Sequence, residues 1–168
     1  GRSEEKKRFN IFRNSTNIGP EANIALCFKE CLKADWGYIL GDDDPLTNDS
    51  ISKILETIKQ YPDVDFINFE CRETKKITSY RELLSLLGES QESFGNMLWL
   101  SKGVYHMSRY KESFIPLFTY TYTGMNQIYF LLDHFKRYPD SELIQTNTVL
   151  LENPELGDDQ IGRASCRE

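Results

Sequence analysis

Three consecutive carboxylates are the residues of this chain best suited to chemistry. Asp42, Asp43 and Asp44 follow residues 36–40, an apolar run ended by Gly41 that predicts a short buried strand. The tract therefore lies at the carboxyl end of a strand, where open α/β sheets bind ligands. Adjacent negative charges repel one another unless they are neutralised. A divalent cation would neutralise them, because Mg²⁺ combines one or two carboxylates with the phosphate oxygens of a ligand.

The simpler interpretation of this tract is a solvated acidic turn that caps the following helix. A helix is indeed predicted after it, with Thr47, Asn48 or Asp49 at its N-cap. A strand before the carboxylates and a helix after them favour the ligand site, because that order places the tract at the edge of a sheet.

Composition limits the classes of function. A chain of 168 residues suits one domain with its own core. The net charge of −6 and the scattered Lys and Arg residues argue against nucleic acid as a partner, which would need a basic patch. There is no run of 18 apolar residues, and residues 1–8 are charged, unlike a signal peptide. A cytoplasmic protein is predicted.

The cysteines predict packing more strongly than metal binding. Cys27 and Cys31 are four residues apart in a helical pattern, so both could face a metal. However, no second pair or His cluster completes four ligands, and both lie on the same apolar face as Phe28. No disulfide framework is predicted, in agreement with a reducing compartment.

Hydrophobic periodicity predicts strands that alternate with helices. Strands are predicted at residues 9–13, 36–40, 64–69 and 94–101, with an extended segment at 143–151. Apolar stripes predict helices with the following inward-facing residues: Ile24, Cys27, Phe28 and Cys31; Ile51, Ile54, Leu55 and Ile58; Met125, Ile128, Leu132 and Phe135. A further amphipathic helix is predicted over 80–87, ending at Gly88. This order implies βαβ units and a mostly parallel sheet flanked by helices.

An ordered set of motifs resembles one enzyme family. The set consists of Asn17-Ile18-Gly19, then Asn23, then residues 34–44 with the acidic tract, then Pro45-Leu46 and residues 62–67. It resembles the centre of family 2 glycosyltransferases with the GT-A fold, whose Asp-rich region ends a strand. The variant of this motif with a glycine before the acids looks most similar to that of bacterial transferases that build lipopolysaccharide or capsule sugars. The resemblance covers residues 9–69.

The resemblance implies a fold, a cofactor and roles for residues. The fold would be an incomplete GT-A-type, Rossmann-like α/β domain. The activity would transfer a sugar from a nucleotide-diphosphate donor to an acceptor hydroxyl, on a glycan or a lipid-linked sugar, with Mg²⁺ or Mn²⁺ bridging the diphosphate and the acids. Asp44 would be a metal ligand, and Asp42 or Asp43 would lie near the metal or the ribose.

The nucleotide side would be formed by Asn17, Gly19 and Asn23, for which turn formation and helix capping are an equally good explanation. A lipid-linked acceptor would bring the full-length protein to the inner face of the membrane, as a peripheral protein.

Two features depart from the family pattern. The family's opening strands have no counterpart before Phe9, so the chain is expected to be truncated at its N-terminus. The tract that should carry an acidic pair is residues 123–128, which offers the amides Asn126 and Gln127. Amides cannot accept a proton at neutral pH. His106 and Asp133 are the other candidates, and the base is left unassigned.

The two ends of the chain are expected to differ in origin. Residues 1–160 are predicted to form the partial transferase domain. Residues 161–168 match one reading frame of a common sequencing adapter, and we predict that this tail is non-native and that the natural fragment ends near Gln160.

Two other functions compete with the transferase. A haloacid-dehalogenase-like phosphatase also has an acidic motif after an apolar strand, but here Pro45 and Leu46 replace the Gly and Thr of that motif. The second rival is an inactive fragment that binds nucleotides or carbohydrates.

Overall fold

The computed structural model describes residues 10–110, 112 and 114–152. The helices in these residues are α1 Pro20–Cys31, α2 Ser50–Gln60, α3 Tyr80–Glu89, α4 Gln91–Leu98, α5 Ile115–Thr119 and α6 Asn126–Arg137. The strands are β1 Gly37–Tyr38, β2 Phe66–Asn68, β3 Lys75–Ile77, β4 Gly103–Tyr105 and β5 Leu143–Gln145. The prediction of an α/β chain is confirmed. The adapter-like tail at 161–168 lies outside the described residues.

The strands form one mixed sheet in the order β1-β4-β2-β5-β3, so the prediction of a mostly parallel sheet is wrong. Among the described strands only β2 and β5 pair in parallel, whereas β4 pairs antiparallel with both β1 and β2, and β3 pairs antiparallel with β5. Because β4 is reversed between β1 and β2, the strands β1, β2 and β5 still run in one direction. Their carboxyl ends and the start of β4 share one side of the sheet, which we call the carboxyl edge.

Two predicted strands are not formed. Residues 94–101 fall mainly in α4 and in a 3₁₀ turn, Leu100–Lys102. The helix begins after Ser90, whose side-chain oxygen accepts a hydrogen bond from the backbone N–H of Ser93 at 3.0 Å. This cap stabilises a helical start that the apolar run alone does not reveal. Residues 10–13 form no regular element and are exposed.

The predicted helices are present, with two differences. Pro20 occupies the first turn of α1, where its missing N–H costs nothing. The helix α3 continues through its predicted end at Gly88, because Gly only weakens a helix interior. In α2, Ile54 is buried as predicted, but Ile51 and Leu55 are 56% and 52% exposed, so half of the predicted stripe is wrong.

The core has two parts, one on each face of the sheet. Phe66 and Leu143 point to the larger part, which contains Phe28 of α1 and most of α6. Ile67 and Ile144 point to the smaller part, which is covered by α2. Successive residues of β2 and β5 thus serve opposite faces, as the period of two requires, and the sheet is covered on both sides.

Cys27 and Cys31 are free thiols, and Cys31 packs against the larger core. Burial raises the pKa of both thiols and keeps them protonated. No helix in the described part of the chain is long and apolar enough to cross a lipid bilayer.

The strand β3 is the outermost strand on one side of the sheet, and it carries two charged residues. Lys75 and Lys76 are exposed, whereas Ile77 is buried in the larger core. The Nζ of Lys76 lies 2.7 Å from Oε1 of Glu142, which precedes the neighbouring β5. The sequence pattern did not predict this strand, because three residues with two lysines carry no period-two signal.

The orientation of α2 can be tested with two isoleucines one turn apart. Ile54→Ala should lower the free energy of unfolding by about 2–4 kcal/mol, because it leaves a cavity under the sheet. Ile51→Ala, the matched control, should change it by less than about 1 kcal/mol, because its side chain is already solvated. Urea unfolding of both variants measures the difference, and equal losses would contradict the observed orientation.

Candidate functional site

The acidic tract lies at the carboxyl edge, shortly after β1. Asp42 and Asp43 are exposed, and Asp44 is half-buried. Two of the carboxylates bend back over Gly41: a Cβ built on that residue would lie 2.8 Å from Oδ2 of Asp44 and 3.1 Å from Oδ1 of Asp43. The structure therefore brings Asp43 and Asp44 together, and the absence of a side chain at Gly41 makes room for both.

Asp44 is fixed through one of its two oxygens. The indole N–H of Trp99 donates to Oδ2 at 2.9 Å, and the hydroxyl of Ser101 donates to the same oxygen at 2.5 Å. Ser101 in turn accepts the backbone N–H of Gly41 at 2.8 Å. Within the described ranges Oδ1 of Asp44 accepts no hydrogen bond. An outer layer of donors that orients a carboxylate while leaving one oxygen unused is typical of metal-ligating carboxylates.

The phenol of Tyr38 lies near two carboxylates, those of Asp44 and Glu70. The phenol of Tyr38 donates to the backbone carbonyl of Ser101 at 2.8 Å. Burial, followed by the charges of Asp44 and Glu70, raises the pKa of Tyr38 to about 12. The phenol is therefore neutral at physiological pH and acts as a hydrogen-bond donor to the 3₁₀ turn that precedes β4.

Glu70 and Lys102 form an ion pair beside this site. The Nζ of Lys102 lies 3.2 Å from Oε2 of Glu70, and the two side chains are 11% and 15% exposed. The same ammonium donates to Oδ1 of Asn96 at 3.1 Å and lies 4.3 Å from the centroid of the Trp99 ring. Lys102 thus links Glu70 to the residue that orients Asp44.

Glu70 also holds residues 150–151, which pair with residues 46–47 at the end of the loop that carries the acidic tract, residues 41–47, here called the acidic loop. Its Oε1 accepts the backbone N–H groups of Leu150 and Leu151, at 3.0 Å and 2.6 Å. That segment is joined to the end of the loop by the hydrogen bond from the N–H of Thr47 to the carbonyl of Leu150, at 2.8 Å. Glu70 has φ of +59°, a conformation that is uncommon for residues other than glycine. The hydrogen bonds and the ion pair of Glu70 offset the free-energy cost of this backbone conformation.

The predicted nucleotide-side residues line a separate, adjoining cleft. The side-chain oxygen of Asn17 accepts the N–H of Gly19 at 3.0 Å, and Gly19 has φ of +80°, so these two residues form a turn as the simpler explanation predicts. Nδ2 of Asn14 donates a hydrogen bond to Oδ1 of Asn23 at 3.3 Å. Asn17, Gly19 and Asn23 all line a cavity of about 300 Å³.

Asn23 connects this turn with the strand that leads to the acids. It also lines a second cavity, of about 590 Å³, between α1 and β1, whose wall includes Tyr38 and Leu40. The cleft therefore extends from the Asn17 turn to the end of β1. Roles for Asn17, Gly19 and Asn23 in ligand binding remain predictions.

The carboxylates of the acidic tract could supply some, but not all, of the ligands of a divalent cation. No group of three or more His, Cys, Asp or Glu side chains in the described residues is arranged to hold a metal by itself. A cation carried by a diphosphate needs one or two carboxylates, since phosphate oxygens and waters supply the rest. Asp43 and Asp44 fit that requirement. The exposed Asp42 would have to move to act as a third ligand, and its predicted role remains a prediction.

The residues considered for a catalytic base make other contacts. Nδ2 of Asn126 donates to the backbone carbonyls of Glu21 and Leu117, each at 3.1 Å. Gln127 donates to the carbonyl of Leu98 at 2.8 Å, and Asp133 pairs with Arg137 at 2.6 Å.

His106 stacks on Trp36, with ring centroids 4.3 Å apart, and its Nδ1 lies 3.1 Å from the carbonyl of Val64. It follows β4, whereas Asp44 contacts the residues before β4, so the two lie at opposite ends of that strand. The base stays unassigned.

Sequence reasoning missed Glu70, Trp99, Ser101 and Lys102. Glu70 follows the strand at 66–68, so the rule that singled out the acids after β1 could have found it. Trp99 and Ser101 were placed in a predicted strand that does not form, and Lys102 directly follows that range, so no local signal linked these three residues to Asp44.

Comparisons with known proteins add no relative. No protein-family model matches the chain, and neither a curated protein nor a solved structure is significantly similar to it. The family resemblance of residues 9–69 therefore depends on the motifs themselves.

The structural role of Glu70 can be tested by removing its charge. Glu70→Gln should lower the free energy of unfolding by about 2–3 kcal/mol, because Lys102 loses its partner and two N–H groups lose an ionised acceptor. Glu73→Gln makes the same change at an exposed position and should have an effect within about 0.5 kcal/mol. Urea unfolding at neutral pH compares them. Equal stability of the two variants would show that Glu70 does not hold the edge together.

Proposed function

We propose that this chain is part of a metal-dependent glycosyltransferase of the family 2 type. It would use a nucleotide-diphosphate sugar as donor and a hydroxyl of a glycan or lipid-linked sugar as acceptor, in polysaccharide or lipopolysaccharide synthesis. The observation that carries the proposal is the fixed Asp44 carboxylate, which is oriented through one oxygen by Trp99 and Ser101. It lies at the carboxyl edge, where α/β sheets bind phosphorylated ligands.

The reaction sets the requirements for such a site. The bond between the anomeric carbon and the diphosphate breaks, and the nucleoside diphosphate leaves with the electron pair. The acceptor oxygen forms the new bond and loses its proton. A bound Mg²⁺ or Mn²⁺ would offset the charge that develops on the diphosphate. Asp43 and Asp44 are the residues that would hold it.

The other residues would bind the donor. The cleft between α1 and β1 reaches Leu40, shortly before the acidic tract, and is lined by Asn23, whose amide can donate to and accept from a nucleoside. The turn of Asn17 and Gly19 would form the far wall. Asp42, which is exposed, would lie near the ribose or the metal. A lipid-linked acceptor would bring the protein to the inner face of the membrane.

One set of observations favours a second candidate function, a fragment that binds nucleotide or carbohydrate without transferring sugar. Asn126 and Gln127 are buried and tied to backbone carbonyls, and neither can accept a proton from an acceptor hydroxyl. Binding and turnover should therefore be measured separately.

Donor binding by the 168-residue chain tests the main proposal. In isothermal titration calorimetry, one of UDP-glucose, GDP-mannose or CDP-glucose should bind with Mn²⁺ present and lose most of its affinity in EDTA. Asp44→Asn should weaken binding at least about a hundredfold, and Ser101→Ala about tenfold, because it frees the ligating carboxylate.

Asp63→Asn is the matched control, because it removes the same charge from a side chain that is 89% exposed and follows α2, away from the carboxyl edge. It should leave binding unchanged. Release of nucleoside diphosphate, followed by mass spectrometry, separates the two candidates: metal-dependent binding without release supports the binding fragment. Metal-independent hydrolysis, or no binding of any donor, would refute the transferase.

A further inference from the structure

We propose that the exposed face of the Trp99 indole is a platform on which a pyranose ring of the substrate stacks. The inference deepens the proposed function and depends on it for the identity of the ligand, since it assigns a sugar subsite next to the predicted diphosphate site. Trp99 is 48% exposed although its N–H is already bonded to Asp44. A large aromatic surface therefore remains open directly beside the acidic tract.

The contacts of Trp99 identify which surface is open. The ammonium of Lys102 covers one face of the ring, at 4.3 Å from its centroid. The edge that carries Nε1 faces Asp44. Since Lys102 lies over one face and Asp44 contacts one edge, the face available to a ligand is the opposite one. That face belongs to the same ring whose Nε1 lies 2.9 Å from Oδ2 of Asp44.

The ring is held in place before any ligand arrives. Trp99 is the C-cap residue of α4, and its backbone N–H donates to the carbonyl of Gly95 at 3.0 Å. Its own carbonyl accepts the N–H of Lys102 at 3.0 Å, within the following 3₁₀ turn. With the side chain fixed by Asp44 and the backbone fixed on both sides, little conformational entropy remains to be lost on binding.

The chemistry of the site favours a sugar over a purely apolar ligand. The faces of a pyranose carry C–H groups with partial positive charge, which match the negative face of an aromatic ring. Its hydroxyls would remain near Asp43, a strong acceptor whose exposed carboxylate shares the space over Gly41 with Asp44. An apolar ligand that covered these two carboxylates would leave them without partners, at a large cost in free energy.

The sugar could be that of the donor or that of the acceptor, and both present the same ring chemistry. The donor's sugar is joined to the diphosphate, whereas an acceptor glycan binds without nucleotide. Stacking of a nucleobase is the competing use of an open indole face. A donor sugar, an acceptor sugar and a nucleobase belong to different ligands. Titrations with UDP-glucose, with free disaccharides and with UDP therefore distinguish these three occupants of the indole face.

Tryptophan fluorescence can report on the platform directly. The chain has two tryptophans, and Trp36→Phe leaves Trp99 as the sole one while keeping an aromatic ring against His106. In this variant a sugar nucleotide or a disaccharide should change the Trp99 emission in a saturable way, and UDP with Mn²⁺ should change it much less. An equal response to UDP and to UDP-glucose, with none to disaccharides, would assign the face to the nucleobase and overturn the proposal.

Affinity measurements on variants of the chain with Trp36 intact complete the test. The contribution of the sugar is measured as the affinity for UDP-glucose relative to UDP, or as the affinity for a disaccharide. Trp99→Ala should reduce this contribution by about tenfold. Trp99→Phe should retain most of it, because it keeps an aromatic face and loses only the N–H. Tyr122→Ala removes another exposed aromatic, 82% exposed, and should have no effect.

The outcomes distinguish this inference from the proposed function. If donors bind in a metal-dependent way but Trp99→Ala leaves the contribution of the sugar unchanged, the platform is refuted and the transferase proposal stands. If disaccharides bind through Trp99 and no nucleotide binds, the platform stands and the transferase proposal fails. If neither ligand binds, both are refuted.

Discussion

The carboxylate of Glu70 is the group on which the carboxyl edge of the sheet depends. One oxygen accepts two backbone N–H groups from the segment that pairs with the acidic loop, and the other forms the ion pair with Lys102. Lys102 covers a face of Trp99, and Trp99 orients Asp44. Glu70 is thus connected to Asp44 through Lys102 and Trp99, and to the end of the acidic loop through the backbone of residues 150–151. A charge such as that of Glu70 is stabilising only while every partner is present, because an unpaired buried ion costs several kcal/mol.

Local patterns predicted four of the six described helices, namely α1, α2, α3 and α6, but they predicted the strands poorly. The spacing of Phe28 with its neighbours, and the position of Pro20, were enough for α1, because an amphipathic stripe over three turns is a strong signal. Strands of two or three residues carry no such signal, so β3 and β4 were missed. The reversed direction of β4 depends on pairing between distant segments. The error at 94–101 has a local cause, since the Ser90 cap turns that apolar run into a helix.

The candidate site was half predictable for the same reason. Asp43 and Asp44 are neighbours in sequence, and the turn at Asn17 and Gly19 is local, so both could be identified from residue types. Trp99 contacts Asp44 across 55 positions of the chain. That contact exists because the reversed β4 brings its own start to the end of β1, and no spacing rule expresses this. Pairing between distant strands decides which side chains surround a site, whereas the sequence around a motif indicates its chemistry.

The lysines of β3 have a consequence for how this sheet can grow. An outer strand with two exposed ammonium groups discourages edge-to-edge association, because a second strand would have to bring its backbone against unpaired positive charge. In the described sheet the opposite border is β1, which carries no charged residue in its two positions. An additional strand, from this chain or from another, would therefore join at β1 and come to lie beside the aspartates. Self-association and access to the acidic tract would then compete for the same border.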